Sequence, residues 1–63
     1  MNLRALREAA GHTQTQLADL AGIDRTVISR LESGARRPTL WAVVRLARVL
    51  DCTFEELLGE EDE

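Results

Sequence analysis

The sequence predicts an all-α domain of five short helices. Three observations point there. Apolar residues recur at helical spacing and nowhere alternate with period two. Two stretches, Thr13 to Gln16 and Thr53 to Glu56, place a hydroxyl three residues ahead of Gln or Glu, the capping-box pattern. Glycines stand where helical runs should stop, at Gly11, Gly22, Gly34 and Gly59.

Taken in order, the first helix is expected from Leu3 to Ala10, capped by Asn2, with Leu3, Leu6 and Ala10 on one face and Gly11 at its end. The second opens at the Thr13 box, carries Leu17, Ala18, Leu20 and Ala21, and stops at Gly22. Asp24 is an acidic cap for a third helix that runs to Ser33, with Gly34 beyond it. Ala35, Arg36, Arg37 and Pro38 make a basic connection. Pro38 and Thr39 begin a fourth helix ending near Leu50, and the Thr53 box opens a fifth that ends at Gly59. Residues 1–59 form one domain, and 60–63 are expected as an acidic tail.

A chain of 63 residues has a thin stability margin. Chains of this size use disulfides, a metal, close helix packing or a partner subunit. With one cysteine, Cys52, and one histidine, His12, the first two are not expected. Cys52 reads as a small packing residue and His12 as a loop residue. No nucleophile–base constellation or cofactor motif is present, so neither an enzyme nor a cofactor is expected. The first residues lack the apolar core of a signal peptide and no run is long enough to span a membrane, which with the unpaired cysteine predicts a cytoplasmic setting.

The net charge of −3 conceals a division. Residues 1–50 hold eight Arg and four acids, whereas residues 51–63 hold seven acids and no base. That asymmetry suggests a body facing a polyanion and a tail that repels one. Every basic side chain is Arg, whose planar fork suits phosphates and guanine edges.

The informative stretch is Gln14 to Leu31. One helix ends at Ala21, Gly22 and Ile23, and another starts at once, which is a helix-turn-helix arrangement. Gly22 permits the positive φ of a sharp turn, and Ala18 is small enough for a close helix crossing. Leu17, Ile23, Ile28 and Leu31 can point inward. Arg25, Thr26, Ser29, Arg30 and Ser33 then share the outward face of the third helix. Val27 is either core or a flank, with core favoured.

At these residues the chain resembles the lambda-repressor-like (Xre) helix-turn-helix family of bacteria and phages. The likeness rests on Gln14 to Ile23, Ile28 to Gly34, Arg37-Pro38 and Leu46-Ala47, and it extends over about residues 3–59. It implies a five-helix domain that binds double-stranded DNA, commonly as a homodimer on a palindromic operator. By that resemblance Gln14 lies near a phosphate, and Arg25, Thr26 and Arg30 meet base edges, with Ser29 as a further contact. Arg36 and Arg37 lie along the phosphates, and Arg7 and Glu32 form a structural ion pair. Thr26 fits a thymine methyl or a phosphate equally well.

Two positions depart from the family pattern. Trp41 stands where a polar residue is usual, and Asp51 stands where glycine commonly ends the fourth helix. Phe54 is expected to close the core. Trp41 either does the same or lies exposed beside Val44 as a patch for a protein partner, which is the alternative functional reading. Arg45 and Arg48 are expected to face solvent or to pair with acids, and Arg4 to lie on the surface. No small-molecule substrate and no membrane contact are expected.

Overall fold

Local hydrogen bonds set where the helices begin. The computed structural model describes residues 1–59 and contains five α-helices: α1 (Leu3–Ala9), α2 (Gln14–Ala21), α3 (Arg25–Ser33), α4 (Leu40–Leu50) and α5 (Phe54–Leu58). There is no strand among the described residues. The acidic tail expected at 60–63 lies outside them.

Both capping boxes form. The Gln16 N–H donates to Thr13 Oγ1 at 3.0 Å and the Thr13 N–H to Gln16 Oε1 at 2.9 Å. Thr53 and Glu56 repeat the exchange at 3.0 and 2.8 Å. Asp24 accepts from the Thr26 N–H and Thr39 from the Ala42 N–H. Each such cap is worth about 1 kcal/mol. Thr39 is thus the cap of α4, which starts at Leu40, two places after Pro38.

Three of the five helices end on a left-handed glycine. Gly22, Gly34 and Gly59 are left-handed after α2, α3 and α5. Asp51 takes the same conformation after α4, at φ 53°, as the one non-glycine among the described residues with positive φ.

Asn2 does not cap α1 through its side chain. Its backbone N–H donates to Leu57 O at 2.8 Å and its Nδ2 to Glu56 O at 3.2 Å. The last carbonyls of a helix lack partners within it, and Asn2 supplies two of them from across the molecule. The expected Leu3, Leu6 and Ala10 face is also corrected. Leu3 is buried and Leu6 half-buried, but α1 ends at Ala9 and Ala10 is exposed, while Arg7 turns inward.

Each helix sends one fully buried side chain into a common centre: Leu3, Leu17, Ile28, Leu46 and Leu57. Buried Ala18, Ala21, Ala42 and Ala47 keep the backbones close around them. α2 packs on α3 and α4, α1 on α3 and α5, and α4 on α5. Val27 and Cys52 pack half-buried against this core.

Phe54 does not close the core; it is 46% exposed. It occupies the first position of a five-residue helix, which covers one fully buried residue, Leu57. Trp41 lies exposed, the second of its two expected placements. No helix among the described residues is long and apolar enough to cross a membrane.

Candidate nucleic-acid interface

Three residues, Gly22, Ile23 and Asp24, join α2 to α3. Gly22 reverses the chain at φ +69°. Its N–H and that of Ile23 both donate to Ala18 O, which closes the last turn of α2. Ile23 is buried and anchors the turn to the core, and Asp24 caps the next helix. The first residue thus reverses the chain, the second anchors it and the third starts α3.

The pattern of α3 divides it along its length. Ile28 and Leu31 are buried and Val27 is half-buried. On the other side Arg25, Thr26, Arg30 and Ser33 are exposed, and Ser29 is half-buried. The structure thus brings Arg25, Thr26, Ser29 and Arg30 together on one short helix held out by the turn. Arg36 and Arg37 are exposed in the connection to α4. With Gly22, Asp24, Thr39 and Trp41 they line a cavity of about 300 Å³, so the basic connection folds back beside the start of α3.

Among the described residues, no acidic side chain pairs with Arg25, Arg30, Arg36 or Arg37. The paired arginines lie elsewhere. Arg4 meets Glu8 at 3.2 Å on the surface of α1, and Arg7 meets Glu32 at 2.6 Å in the interior. Arg25 and Arg30 on α3 and Arg36 and Arg37 after it are thus four cations without acidic partners among the described residues, and such a grouping favours anions nearby.

Gln14 is the first residue of α2 and lies half-buried. Its Nε2 donates to Glu32 Oε1 at 3.0 Å. Burial alone would raise the Glu32 carboxyl. The hydrogen bonds from Arg7 and Gln14, together with the Arg7 charge, outweigh burial and hold it below the usual carboxylate range. The hydrogen bond to Glu32 in turn raises the Arg7 guanidinium, against burial. Arg7 Nη1 also donates to His12 O at 2.9 Å, so His12 contributes its carbonyl to the frame of the site. Among the described residues no group of three His, Cys, Asp or Glu could hold a metal ion.

Arg45 is exposed, as expected, and pairs with no acid among the described residues, but it also makes two contacts, one of them not announced by local order. Its Nη1 donates to Ala21 O at 3.1 Å, and its guanidinium lies 4.6 Å from the centroid of the Trp41 ring. The sequence signal is the four-residue spacing of Trp41 and Arg45 on a helix, which puts a cation over an aromatic face. The bond to Ala21 has no local signal, because it joins residues 24 apart in the chain.

A family model described as "Helix-turn-helix" matches residues 3–57. The HTH-type transcriptional regulator AnsR of Bacillus subtilis is 42% identical over 59 residues, covering 94% of this chain and 51% of the relative. The cryptic phage CTXphi transcriptional repressor RstR of Vibrio cholerae is 40% identical over 53 residues, covering 84% and 47%. An uncharacterized HTH-type transcriptional regulator of Archaeoglobus fulgidus is 36% identical over 61 residues, covering 97% and 87%. The chain spans about half the length of the first two. The five helices, the turn at Gly22 and these likenesses together show that the chain belongs to the Xre/Cro-like helix-turn-helix family of transcriptional regulators.

Proposed function

We propose that the protein reads double-stranded DNA by sequence and acts as a repressor or autoregulator, as a dimer on a palindromic operator. One observation carries this reading: α3 turns Ile28 and Leu31 into the core and holds Arg25, Thr26, Ser29 and Arg30 outward, with neither arginine committed to an acid among the described residues. A helix of this width enters a major groove about 12 Å wide. Arg25 and Arg30 carry the bidentate donors that recognise guanine, and Thr26 and Ser29 read neighbouring edges. Gln14, Arg36 and Arg37 set the register on phosphates. The names of the relatives, a transcriptional regulator and a phage transcriptional repressor, support the regulatory role.

One module of this size buries too little surface for tight selective binding. A two-fold pair through α5 and the 51–54 connection doubles the contact and sets half-sites roughly 34 Å apart. The support for that seam is the exposed Phe54 and Leu58 on α5. Selection of bound duplexes from a random pool tests the reading. An enriched inverted repeat with half-sites one helical turn apart is expected, and no enrichment at all contradicts it. Sedimentation of a monomer at micromolar concentration, with and without operator, contradicts the dimer alone.

A second reading has its own observation. Leu20, Leu40 and Trp41 are 59%, 74% and 55% exposed and flank a groove of about 850 Å³ with Val44, Arg45 and Arg48. Contiguous exposed apolar surface of this kind marks contact with another protein. Comparing Arg30→Ala with Leu40→Ala separates the two. Loss of the operator from the first and of a protein partner from the second assigns both roles.

A further inference from the structure

We infer that Arg45, steadied by Trp41, is a positioning residue that sets the angle of the recognition helix α3. This role rests on α3 being the DNA-reading element. The Arg45 hydrogen bond falls at a decisive point in the chain. Ala21 O belongs to the peptide joining Ala21 to Gly22, where the chain leaves α2 for the turn. Gly22 adopts φ +69° and can rotate more freely than any other residue type. The Gly22 N–H already donates to Ala18 O, and the Arg45 bond to the carbonyl of the same peptide holds its plane from the opposite edge. Arg45 therefore adds a restraint from α4 at the peptide that enters the turn.

The guanidinium also fits the site by charge. Carbonyls at the end of α2 carry the negative pole of the helix, and a cation there is favoured. Space is closed from the other side. A Cβ added at Gly22 would stand 2.9 Å from Arg45 Nη1, so glycine lets the arginine reach the turn. The Trp41 ring, one turn earlier on α4, holds the guanidinium from behind at 4.6 Å. Trp41, Arg45 and Ala21 O thus form a brace from α4 to the turn. An exposed arginine and a tryptophan out of the family pattern become parts of one device.

A small release at the turn has a large effect at the far end of α3. Nine residues span roughly 13 Å, so a tilt of about 5° moves the last turn by about 1 Å. Base-edge hydrogen bonds hold over a range of about 0.5 Å. Phosphate contacts through long arginines adapt to such a shift, whereas bidentate base contacts do not. The brace therefore bears on selectivity more than on overall affinity.

The test compares the natural full chain with Arg45→Ala, Arg45→Lys and Trp41→Ala. Residual dipolar couplings of the backbone amides, without DNA, report the axis of α3 relative to α4. Arg45→Ala is expected to tilt α3 by about 5° or more, Trp41→Ala to tilt it less in the same direction, and Arg45→Lys, which keeps one donor, to leave it near its natural angle. Affinities are then measured for the duplex selected by the natural chain and for a scrambled one. Arg45→Ala is expected to lower their ratio about tenfold, within the range of one base contact. Arg45→Lys should recover most of it, and the salt dependence should not change.

Two results overturn the proposal. A drop in melting temperature with α3 orientation and affinity ratio unchanged makes Arg45 a stabilising residue. Equal loss on both duplexes, with the salt slope reduced by about one, makes it a phosphate contact. If the natural chain enriches no sequence, the DNA-reading proposal fails, while the dipolar couplings still decide the brace.

Discussion

Arg7 Nε donates to Glu32 Oε2 at 2.6 Å, and the pair joins the inward side of α1 to the last turn of α3 across 25 residues of sequence. Glu32 Oε1 accepts further bonds from Arg7 Nη2 at 3.1 Å and from Gln14 Nε2 at 3.0 Å. Three helices therefore meet on one carboxylate. The side chains are 10% and 6% exposed, so water does little to screen them. No buried side-chain N or O atom among the described residues lacks a hydrogen-bond partner.

Removing one member of this pair should be costly. Arg7→Ala leaves a carboxylate in the interior with Gln14 as its remaining partner, and a loss of about 3–5 kcal/mol is expected. Replacing both, as Arg7→Met with Glu32→Leu, should cost much less, because no charge is then stranded. Urea denaturation of the single and double variants checks this. A single-variant loss below about 1 kcal/mol would mark the pair as an ordinary surface contact.

The same carboxylate makes stability depend on acid. Glu32 is held below its ordinary value of 4.5, so the unfolded chain binds a proton there more readily than the folded one. Stability from this group is therefore complete above that value and is lost as pH falls through the lower native one. The melting temperature of the natural chain should decline in that acid window. Glu32→Gln should start from a lower melting temperature at neutral pH and show a shallower decline, and equal slopes would remove Glu32 as the cause.

Gly22 and Asp51, two of the left-handed positions at helix ends, should respond in opposite directions. Gly22→Ala forces a side chain into φ +69° and against Arg45, with an expected loss of about 1–2 kcal/mol. Asp51 already bears such strain at φ 53° and adds negative charge at the negative end of α4. Asp51→Gly should therefore stabilise, by about 0.5–1 kcal/mol after the greater freedom of the unfolded chain is counted. Thermal denaturation of both variants measures the two signs, and a destabilised Asp51→Gly would contradict the strain.

These contrasts separate what is legible in the sequence from what is not. Thr13, Thr53 and Asp24 bond to groups two or three residues away, so their roles can be read from local order. So can those of Gly22 and the inward set of Leu17, Ile23, Ile28 and Leu31, because helical period and turn chemistry act over short spans. Local order misassigns Asn2 and does not reveal the bond made by the exposed Arg45, because their partners, Glu56 and Ala21, lie 54 and 24 residues away. It misplaces Phe54 because residue type says nothing about how little a five-residue helix covers. The outward face of α3 is visible as a pattern, whereas the lack of acidic partners for Arg25 and Arg30 among the described residues emerges only from the packed helices.

Base-reading and phosphate-holding arginines should separate by salt. Arg30→Ala should cost about 1–3 kcal/mol on the selected duplex and relax preference at one base position. Arg36→Ala with Arg37→Ala should weaken selected and scrambled duplexes alike and reduce the salt slope by about two. Titrations at several salt concentrations give both quantities. Identical behaviour of the two variants would remove the division of labour.

The most direct measurement follows the backbone amides of residues 1–59 as a duplex is added. Amides of Arg25 to Ser33, with Gln14, Arg36 and Arg37, should shift strongly with the selected duplex and weakly with a scrambled one. Signals from Arg25 to Ser33 that stay in place while the duplex binds elsewhere, or while it fails to bind, would contradict α3 as the reading element.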